Sequence, residues 1–236
     1  MNYSPTGFRP AGTLSMIAII GLALTAVCEL LNAIIGVAEI VDPLRTLNLG
    51  DGPNQSVWLL SQGVIAIFQF PLYLGTAIAF LVWLYRAYTN LSPLQTQRQE
   101  FTPGWAVGWW FVPFANLVNP FKVMREVWFD SDPYVASDSS LFTSGPRTAP
   151  NWMGLWWGLW IASNVFSNFA GRFGDAEDLA NIQTTGYLFI FAGGLSFIAA
   201  ILCIKLVREV TTRQELRFAN LLNMQRYSPP PPPSFM

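Results

Sequence analysis

The sequence has no histidine, little cysteine and little charge. None of its 236 residues is His, 2 are Cys, and charged residues make up 11%, against about 25% in a soluble domain. Without His there is no His-ligated metal or haem and no His-based acid–base site. Cys28 and Cys203 lie in apolar stretches without metal-ligand or disulfide spacing. We therefore expect no metal site, no catalytic residues and no enzymatic activity, and the net charge of −1 gives no reason to expect a nucleic-acid partner.

The sequence is instead rich in apolar residues. Hydrophobic residues make up 52% of the chain, and the mean hydropathy is +0.36. This composition predicts an all-α integral membrane protein. Apolar stretches at about 13–35, 57–85, 152–170 and 186–207 are each long enough for a helix that crosses roughly 30 Å of hydrocarbon. We predict that they form a four-helix bundle over residues 13–210, between tails at 1–12 and 211–236; the second tail carries a proline run.

The basic residues predict the orientation of this bundle. Of the 13 Lys and Arg residues, a four-span topology with both termini in the cytoplasm leaves only Arg45 and Arg172 outside. A five-span topology leaves more of them outside, so the positive-inside rule favours four spans. The expected location is the bacterial inner membrane. The expected partners are the lipid bilayer and other membrane protein subunits, and we expect no cofactor other than bound lipid.

A further apolar stretch, residues 104–118, is too short to cross the membrane. It would give about 22 Å of helix against about 30 Å of hydrocarbon. Pro113 interrupts it, and Asn116, Asn119 and Pro120 close it. We predict a broken re-entrant or interfacial segment on the cytoplasmic side.

Two proline-bearing starts frame this broken segment. Thr102 is predicted to cap a helix whose first residue is Pro103, and Asn119 with Pro120 is predicted to repeat that start. The second start leads into a short amphipathic surface helix that ends near residue 129. Its apolar face is predicted to consist of Phe121, Met124, Val127 and Trp128.

Residues 80–128 contain an ordered set of Trp, Arg, Asn, Pro and Gly residues. The set consists of Trp83, Arg86, Asn90, Pro103, Gly104, Trp105, Trp109, Pro113, Asn116, Asn119 and Pro120. In order and spacing it resembles the bacterial domain of unknown function 4328 family. The resemblance implies an uncharacterised multi-pass bacterial membrane protein and supplies no catalytic residue. From the residues themselves, we predict that Arg86 and Asn90, four apart on one helix face, bond to carbonyls freed in the broken segment.

Polar residues within the predicted spans form a second candidate site, because hydrocarbon penalises them. A rise of about 1.5 Å per residue places five of them in the outer half of the bilayer: Glu29, Asn32, Gln62, Asn164 and Asn168. Two interpretations stay open. They line a polar pocket for a substrate or ion centred on Glu29, or they make ordinary hydrogen bonds between helices.

Taken together, these features predict an accessory or structural subunit, or an interaction protein, of a larger bacterial membrane complex. The alternative is a small transporter or channel that uses the polar cluster around Glu29. The two differ in their response to one substitution: Glu29→Gln should lower transport activity, whereas a subunit should tolerate that change and co-purify with a fixed partner.

Overall fold

The computed structural model describes residues 7–41, 53–94, 96, 99–134, 149–172 and 179–226. Within these ranges all regular structure is helical, as predicted. The α-helices are α1 (Gly12–Val41), α2 (Pro53–Thr89), α3 (Pro103–Gly108), α4 (Asn119–Asp130), α5 (Asn151–Ala170) and α6 (Leu179–Arg226), and a 3₁₀ helix covers Ala115–Leu117. The proline run at residues 229–233, in the predicted second tail, lies outside the described residues.

Among the residues that the structure describes, three helices are long and apolar enough to cross a membrane: Gly12–Ile34 in α1, Gly63–Thr89 in α2 and Gln183–Met224 in α6. They overlap the first, second and last predicted spans and support a membrane protein. The remaining predicted span is present as α5, with 20 residues. It is not one of the three, because its Trp residues together with Asn164 and Asn168 lower its hydropathy. The four-helix bundle therefore stays a prediction.

The chain divides into two compact units. Unit 1 comprises Met1–Thr13, Val82–Ala149 and Arg208–Met236, and unit 2 comprises Leu14–Leu81 and Pro150–Val207. Helices α2 and α6 contribute residues to both, and the first two residues of α1 belong to unit 1. The predicted tail from residue 211 is helical as far as Arg226, and Thr211, Gln214 and Arg217 are buried. Because these three residues recur at helical spacing, this part of the predicted tail is a packed helix face.

Glycines bring the helices of unit 2 into close contact. A Cβ atom at Gly21 of α1 would lie 2.7 Å from the Thr76 Oγ1 of α2. Gly36 of α1 and Gly186 of α6 face each other, since a Cβ on either would lie 3.5 Å from the carbonyl oxygen of the other. Residues without a side chain let membrane helices approach closely, so these glycines allow α1 to pack against both α2 and α6.

The predicted amphipathic helix is present in unit 1 as α4. Its buried apolar residues are Val123, Met124, Val127 and Trp128, whereas Phe121, predicted for the same face, is only half-buried. This face is covered by other residues of the protein. The apolar face of α4 is therefore not available as a membrane-binding surface.

Residues 104–118 were predicted to be a broken segment, and they do not form one continuous helix. The break, however, lies earlier than Pro113. Helix α3 ends at Gly108, and the N–H groups of Trp110 and Phe111 turn back to carbonyls three residues earlier, at 3.2 and 3.0 Å. The helical conformation is disfavoured for a residue before proline, so Val112 is a poor position at which to continue a helix. Phe114 then has a φ of 63°, which is rare for a residue other than glycine.

The two predicted helix starts have different outcomes. Thr102 caps α3 as predicted: its side chain accepts a hydrogen bond from the Trp105 N–H at 3.3 Å, and Pro103 is the first helical residue. Asn119 is not a cap, because it is the first residue of α4; the capping position belongs to Val118, which makes no side-chain capping bond. The second prediction was wrong by one residue.

Candidate functional site

Asn90 lies directly after α2 and is 1% exposed. Its amide pairs with the main chain of Arg9: Oδ1 accepts from the Arg9 N–H at 3.2 Å, and Nδ2 donates to the Arg9 carbonyl at 2.9 Å. The same Nδ2 also donates to the Gln214 Oε1 at 3.3 Å. Asn90 therefore joins the N-terminal segment to α6 in unit 1.

The prediction that Asn90 and Arg86 bond to the broken segment was wrong for Asn90 and is not supported for Arg86. The Arg86 side chain is half-buried and makes no hydrogen bond to any residue that the structure describes. The broken segment does not need such donors, because it satisfies carbonyls locally. The Ala115 N–H bonds to the Pro113 carbonyl at 2.7 Å, and the Asn116 N–H bonds to the Val112 carbonyl at 2.9 Å.

Gln214 of α6 is the centre of a buried hydrogen-bond network in unit 1 and is 1% exposed. Its Nε2 donates to the Ala87 carbonyl at 2.8 Å and to the Ser131 Oγ at 3.1 Å. The N–H four residues after Ala87, that of Leu91, bonds instead to the Tyr88 carbonyl. The carbonyls at the C-terminal end of a helix have no intrahelical donor. Gln214 supplies the donor for one such carbonyl of α2, that of Ala87.

Two arginines of α6 hold the turn that follows α4. Arg217 is buried and donates to the Leu94 carbonyl at 3.0 Å and to the Asp132 carbonyl at 2.8 Å. Arg213 forms a salt bridge with the Asp132 carboxylate at 2.8 Å, and its guanidinium lies 4.3 Å from the centre of the Trp128 ring. Sequence reasoning missed this set. The available signal was the placement of Gln214 and Arg217 on the same helix face as Thr211.

Tyr88, rather than Arg86, joins the end of α2 to the residues before α3. Its hydroxyl accepts from the Phe101 N–H at 2.9 Å and donates to the Glu126 carboxylate of α4 at 2.8 Å. That carboxylate also accepts from the Glu100 N–H at 2.6 Å. Burial raises the pKa of Glu126, and these two hydrogen bonds offset part of that increase.

The remaining residues of the predicted motif occupy structural positions in unit 1. Trp83 is buried, and its indole N–H donates to the Thr211 hydroxyl at 3.0 Å. Trp105 and Trp109 pack with ring centres 4.6 Å apart. Gly104 and Pro113 are exposed, Asn116 and Asn119 are half-buried, and Pro120 is buried. These motif residues therefore contribute packing and hydrogen bonds to the local fold of unit 1.

The broken segment exposes large apolar side chains. Phe114 is 86% exposed and Phe111 is 71% exposed, and Trp105 and Val118 are about half exposed. We call these four residues the apolar edge. Exposed apolar surface of this kind marks sites of contact with proteins or membranes.

The second predicted site is represented in unit 2 by a hydrogen-bonded group that we call the Glu29 cluster: Glu29, Gln69 and Tyr73. The Tyr73 hydroxyl of α2 donates to Oε1 of Glu29 in α1. The Gln69 Nε2 donates to the Tyr73 hydroxyl at 3.1 Å. Tyr73 and Gln69 were not predicted as partners of Glu29, because nothing in the sequence gives the rotation of α2 relative to α1.

The structure does not join the other predicted pocket residues to Glu29. The Asn164 side chain donates to the Trp160 carbonyl at 2.7 Å, and the Asn168 side chain donates to the Asn164 carbonyl at 2.8 Å. Both amides thus bond to their own helix. Asn32 is half-buried, and the side chain of Gln62 lies outside the described residues. The five-residue pocket stays a prediction.

The described part of the chain offers few groups for metal or covalent chemistry. Within it, no three His, Cys, Asp or Glu residues come together in a way that could hold a metal ion. Both cysteines are free thiols. Among the described residues, the candidate span Gly12–Ile34 contains one carboxyl, that of Glu29, and the candidate span Gln183–Met224 contains those of Glu209 and Glu215.

One comparison with known proteins gives a match. A family model described as "Domain of unknown function (DUF4328)" matches residues 55–212. No curated protein and no solved structure gives a significant match to the chain. The matched range runs from the start of α2 to Thr212 of α6 and includes the whole Trp83–Pro120 motif.

Proposed function

Because the chain belongs to the DUF4328 family, whose description names no activity, we propose a function from its own geometry: it is an accessory or interaction subunit of a bacterial inner-membrane complex. The apolar edge binds another membrane subunit. The observation that carries the proposal is the exposure of Phe111 and Phe114 on a segment whose two ends are anchored. One end is anchored by the Thr102 cap and the other by the buried face of α4.

The proposal includes a four-span topology with both termini in the cytoplasm. Its support is the distribution of Lys and Arg residues, together with the 20 residues of α5, a length that suffices to cross the bilayer. Residues 104–118 then lie at the cytoplasmic face. A Cys placed at Ser139, after replacement of Cys28 and Cys203, should react only with thiol reagents that reach the cytoplasm. Labelling from the periplasm would contradict four spans.

Photo-crosslinking tests the subunit proposal directly. A benzophenone amino acid replaces Phe111 or Phe114 in the full chain in native membranes, and Thr212, exposed in the same unit, serves as the control position. We expect one protein adduct of discrete mass from the apolar edge and none from Thr212. An adduct with lipid alone would show that the edge contacts the bilayer and would refute the subunit proposal.

Co-purification supplies the second readout. The crosslinked protein should also co-purify with the unmodified chain in mild detergent. A double variant, Phe111→Ser with Phe114→Ser, should lose this protein while the chain keeps its elution profile, because both side chains point away from the packed core. Retention of the partner by the double variant would refute a role for the apolar edge.

A second candidate function is a small ion transporter or channel, and the Glu29 cluster favours it. A carboxyl, a phenol and an amide are hydrogen-bonded between two helices that are both candidate membrane spans. Such groups within hydrocarbon mark ion pathways and proton relays. Proteoliposomes that contain the full chain should then take up protons or sodium ions, and Glu29→Gln should abolish the uptake. Absence of uptake by the unmodified chain would refute this candidate.

A further inference from the structure

We propose that the carboxyl of Glu29 is a proton-binding site within the membrane-spanning part of unit 2, with Tyr73 and Gln69 as positioning residues. The proposal deepens the second candidate function. It rests on that function only for the claim that the bound proton is transported. Glu29 belongs to the span Gly12–Ile34, and the other two residues belong to the span Gly63–Thr89.

Two hydrogen bonds in series stabilise the charged form of this carboxyl. Tyr73 donates to the Glu29 Oε1, and Gln69 donates to the oxygen of Tyr73 at 3.1 Å. A hydroxyl that accepts one hydrogen bond becomes a stronger donor in the next. The bond from Tyr73 crosses from α2 to α1 and fixes the position of the carboxyl, whereas the bond from Gln69 lies within α2 and fixes the position of the Tyr73 hydroxyl.

Hydrocarbon acts in the opposite direction. An ionised carboxylate is costly within the bilayer, and protonation removes that cost. No hydrogen bond reaches the second oxygen, Oε2, from the residues that the structure describes. A proton can therefore be added to Oε2 while the bond from Tyr73 to Oε1 is kept, and no helix has to move.

Gly193 of α6 leaves space beside that oxygen. A Cβ atom at this position would lie 3.6 Å from the Glu29 Oε2 and 3.4 Å from the Glu29 carbonyl oxygen. A residue with a longer side chain would fill the space next to Oε2. The titratable groups that neighbour the carboxyl are Tyr73 and the adjacent Cys28; among the described residues no basic group faces it.

Dicyclohexylcarbodiimide is the probe for the test, because it reacts with protonated carboxyls in apolar surroundings. The full chain is reconstituted in phosphatidylcholine vesicles and labelled over a range of pH, and modified peptides are quantified by mass spectrometry. We expect Glu29 to be labelled increasingly as the pH falls. The exposed carboxyl of Glu100 should remain unlabelled.

Removal of the hydrogen-bond donor gives the positioning test. Tyr73→Phe removes the donor that favours the carboxylate, so the labelling profile should shift to higher pH by roughly one unit. The matched control is Tyr187→Phe, since Tyr187 is exposed on the candidate span of α6. That variant should leave the profile unchanged. Equal profiles for Tyr73→Phe and the unmodified chain would refute the positioning role.

Failure of the site and failure of transport give different results. Absence of labelling at Glu29, or labelling that does not vary with pH, would refute the proton-binding site itself. Labelling that depends on pH, together with vesicles that take up no ion, would keep the site and refute the transporter. A Gly193→Leu variant should reduce labelling several-fold by covering Oε2, and unchanged labelling would overturn the assignment of Oε2 as the proton acceptor.

Discussion

Replacement of Gln214 by Leu is the strongest test of the hydrogen-bond network in unit 1. The two side chains are of similar size, so the variant removes hydrogen bonds and little volume. The change deletes donations to the Ala87 carbonyl and the Ser131 hydroxyl and removes the acceptor for Asn90. Asn90 keeps its bond to the Arg9 carbonyl, whereas the Ala87 carbonyl loses its capping donor.

The magnitude follows from these individual losses. A buried group left without a partner costs about 1–3 kcal/mol, and each lost bond removes about 0.5–1.5 kcal/mol of net stabilisation. Because one acceptor loses its donor and the other groups can partly reorient, we expect a loss of about 2–4 kcal/mol. For a chain of this size, that lowers the unfolding temperature by roughly 5–15 °C.

The assay is the fraction of detergent-solubilised full-length chain that stays monodisperse after heating. Asn223→Leu on the same helix is the matched control, because Asn223 is exposed, and it should shift the midpoint by no more than about 2 °C. Gln214→Glu keeps the size of the side chain but cannot donate when ionised, so it should lose at least as much stability. A midpoint for Gln214→Leu equal to that of the control would refute the network as a source of stability.

Three further predictions use the same heating assay. Asn90→Ala should lower the midpoint more than Arg86→Ala, because only Asn90 bonds to two other segments; the reverse order would contradict the network. Gly21→Ala should lower the midpoint, since its Cβ would meet a hydroxyl at 2.7 Å, whereas Gly75→Ala, with no atom within 4 Å, should leave it unchanged or raise it. Burial raises the pKa of Glu126, so the folded state binds this proton more tightly than the unfolded chain does. The stabilisation from this proton is present below the pKa of Glu126 in the unfolded chain and is lost as the pH rises through its pKa in the folded protein. The unfolding midpoint of the unmodified chain should therefore rise on acidification, and Glu126→Gln should weaken that rise. An unchanged dependence of the midpoint on pH in this variant would contradict the reasoning.

Features that depend on neighbouring residues could be predicted. The Thr102 cap with Pro103 follows from groups within three positions of one another, and it was located correctly. The interruption of residues 104–118 also follows from local chemistry, although the break occurs at Gly108. The partners of Asn90 could not be predicted, because Arg9 is 81 positions away and Gln214 is 124 positions away.

The candidate sites show the same contrast. Glu29 stood out because a carboxyl in an apolar stretch is conspicuous in any sequence. Its partners Tyr73 and Gln69 depend on how α1 and α2 face each other, which hydropathy does not encode. The spacing of Asn164 and Asn168 indicated a shared polar face, yet each side chain bonds to a carbonyl of its own helix.

The sequence by itself determined that the chain is helical and apolar enough for a membrane, where the apolar stretches lie, and that His-based chemistry is absent. These properties depend on composition and on periodicity over a few turns, so they can be derived without the fold. The tertiary structure alone decided that α6 continues beyond residue 211 as a packed helix, that the apolar face of α4 is covered, and that Phe111 and Phe114 remain exposed. The physical reason is that burial and hydrogen bonding depend on which distant segments meet, and only the folded chain brings those segments together.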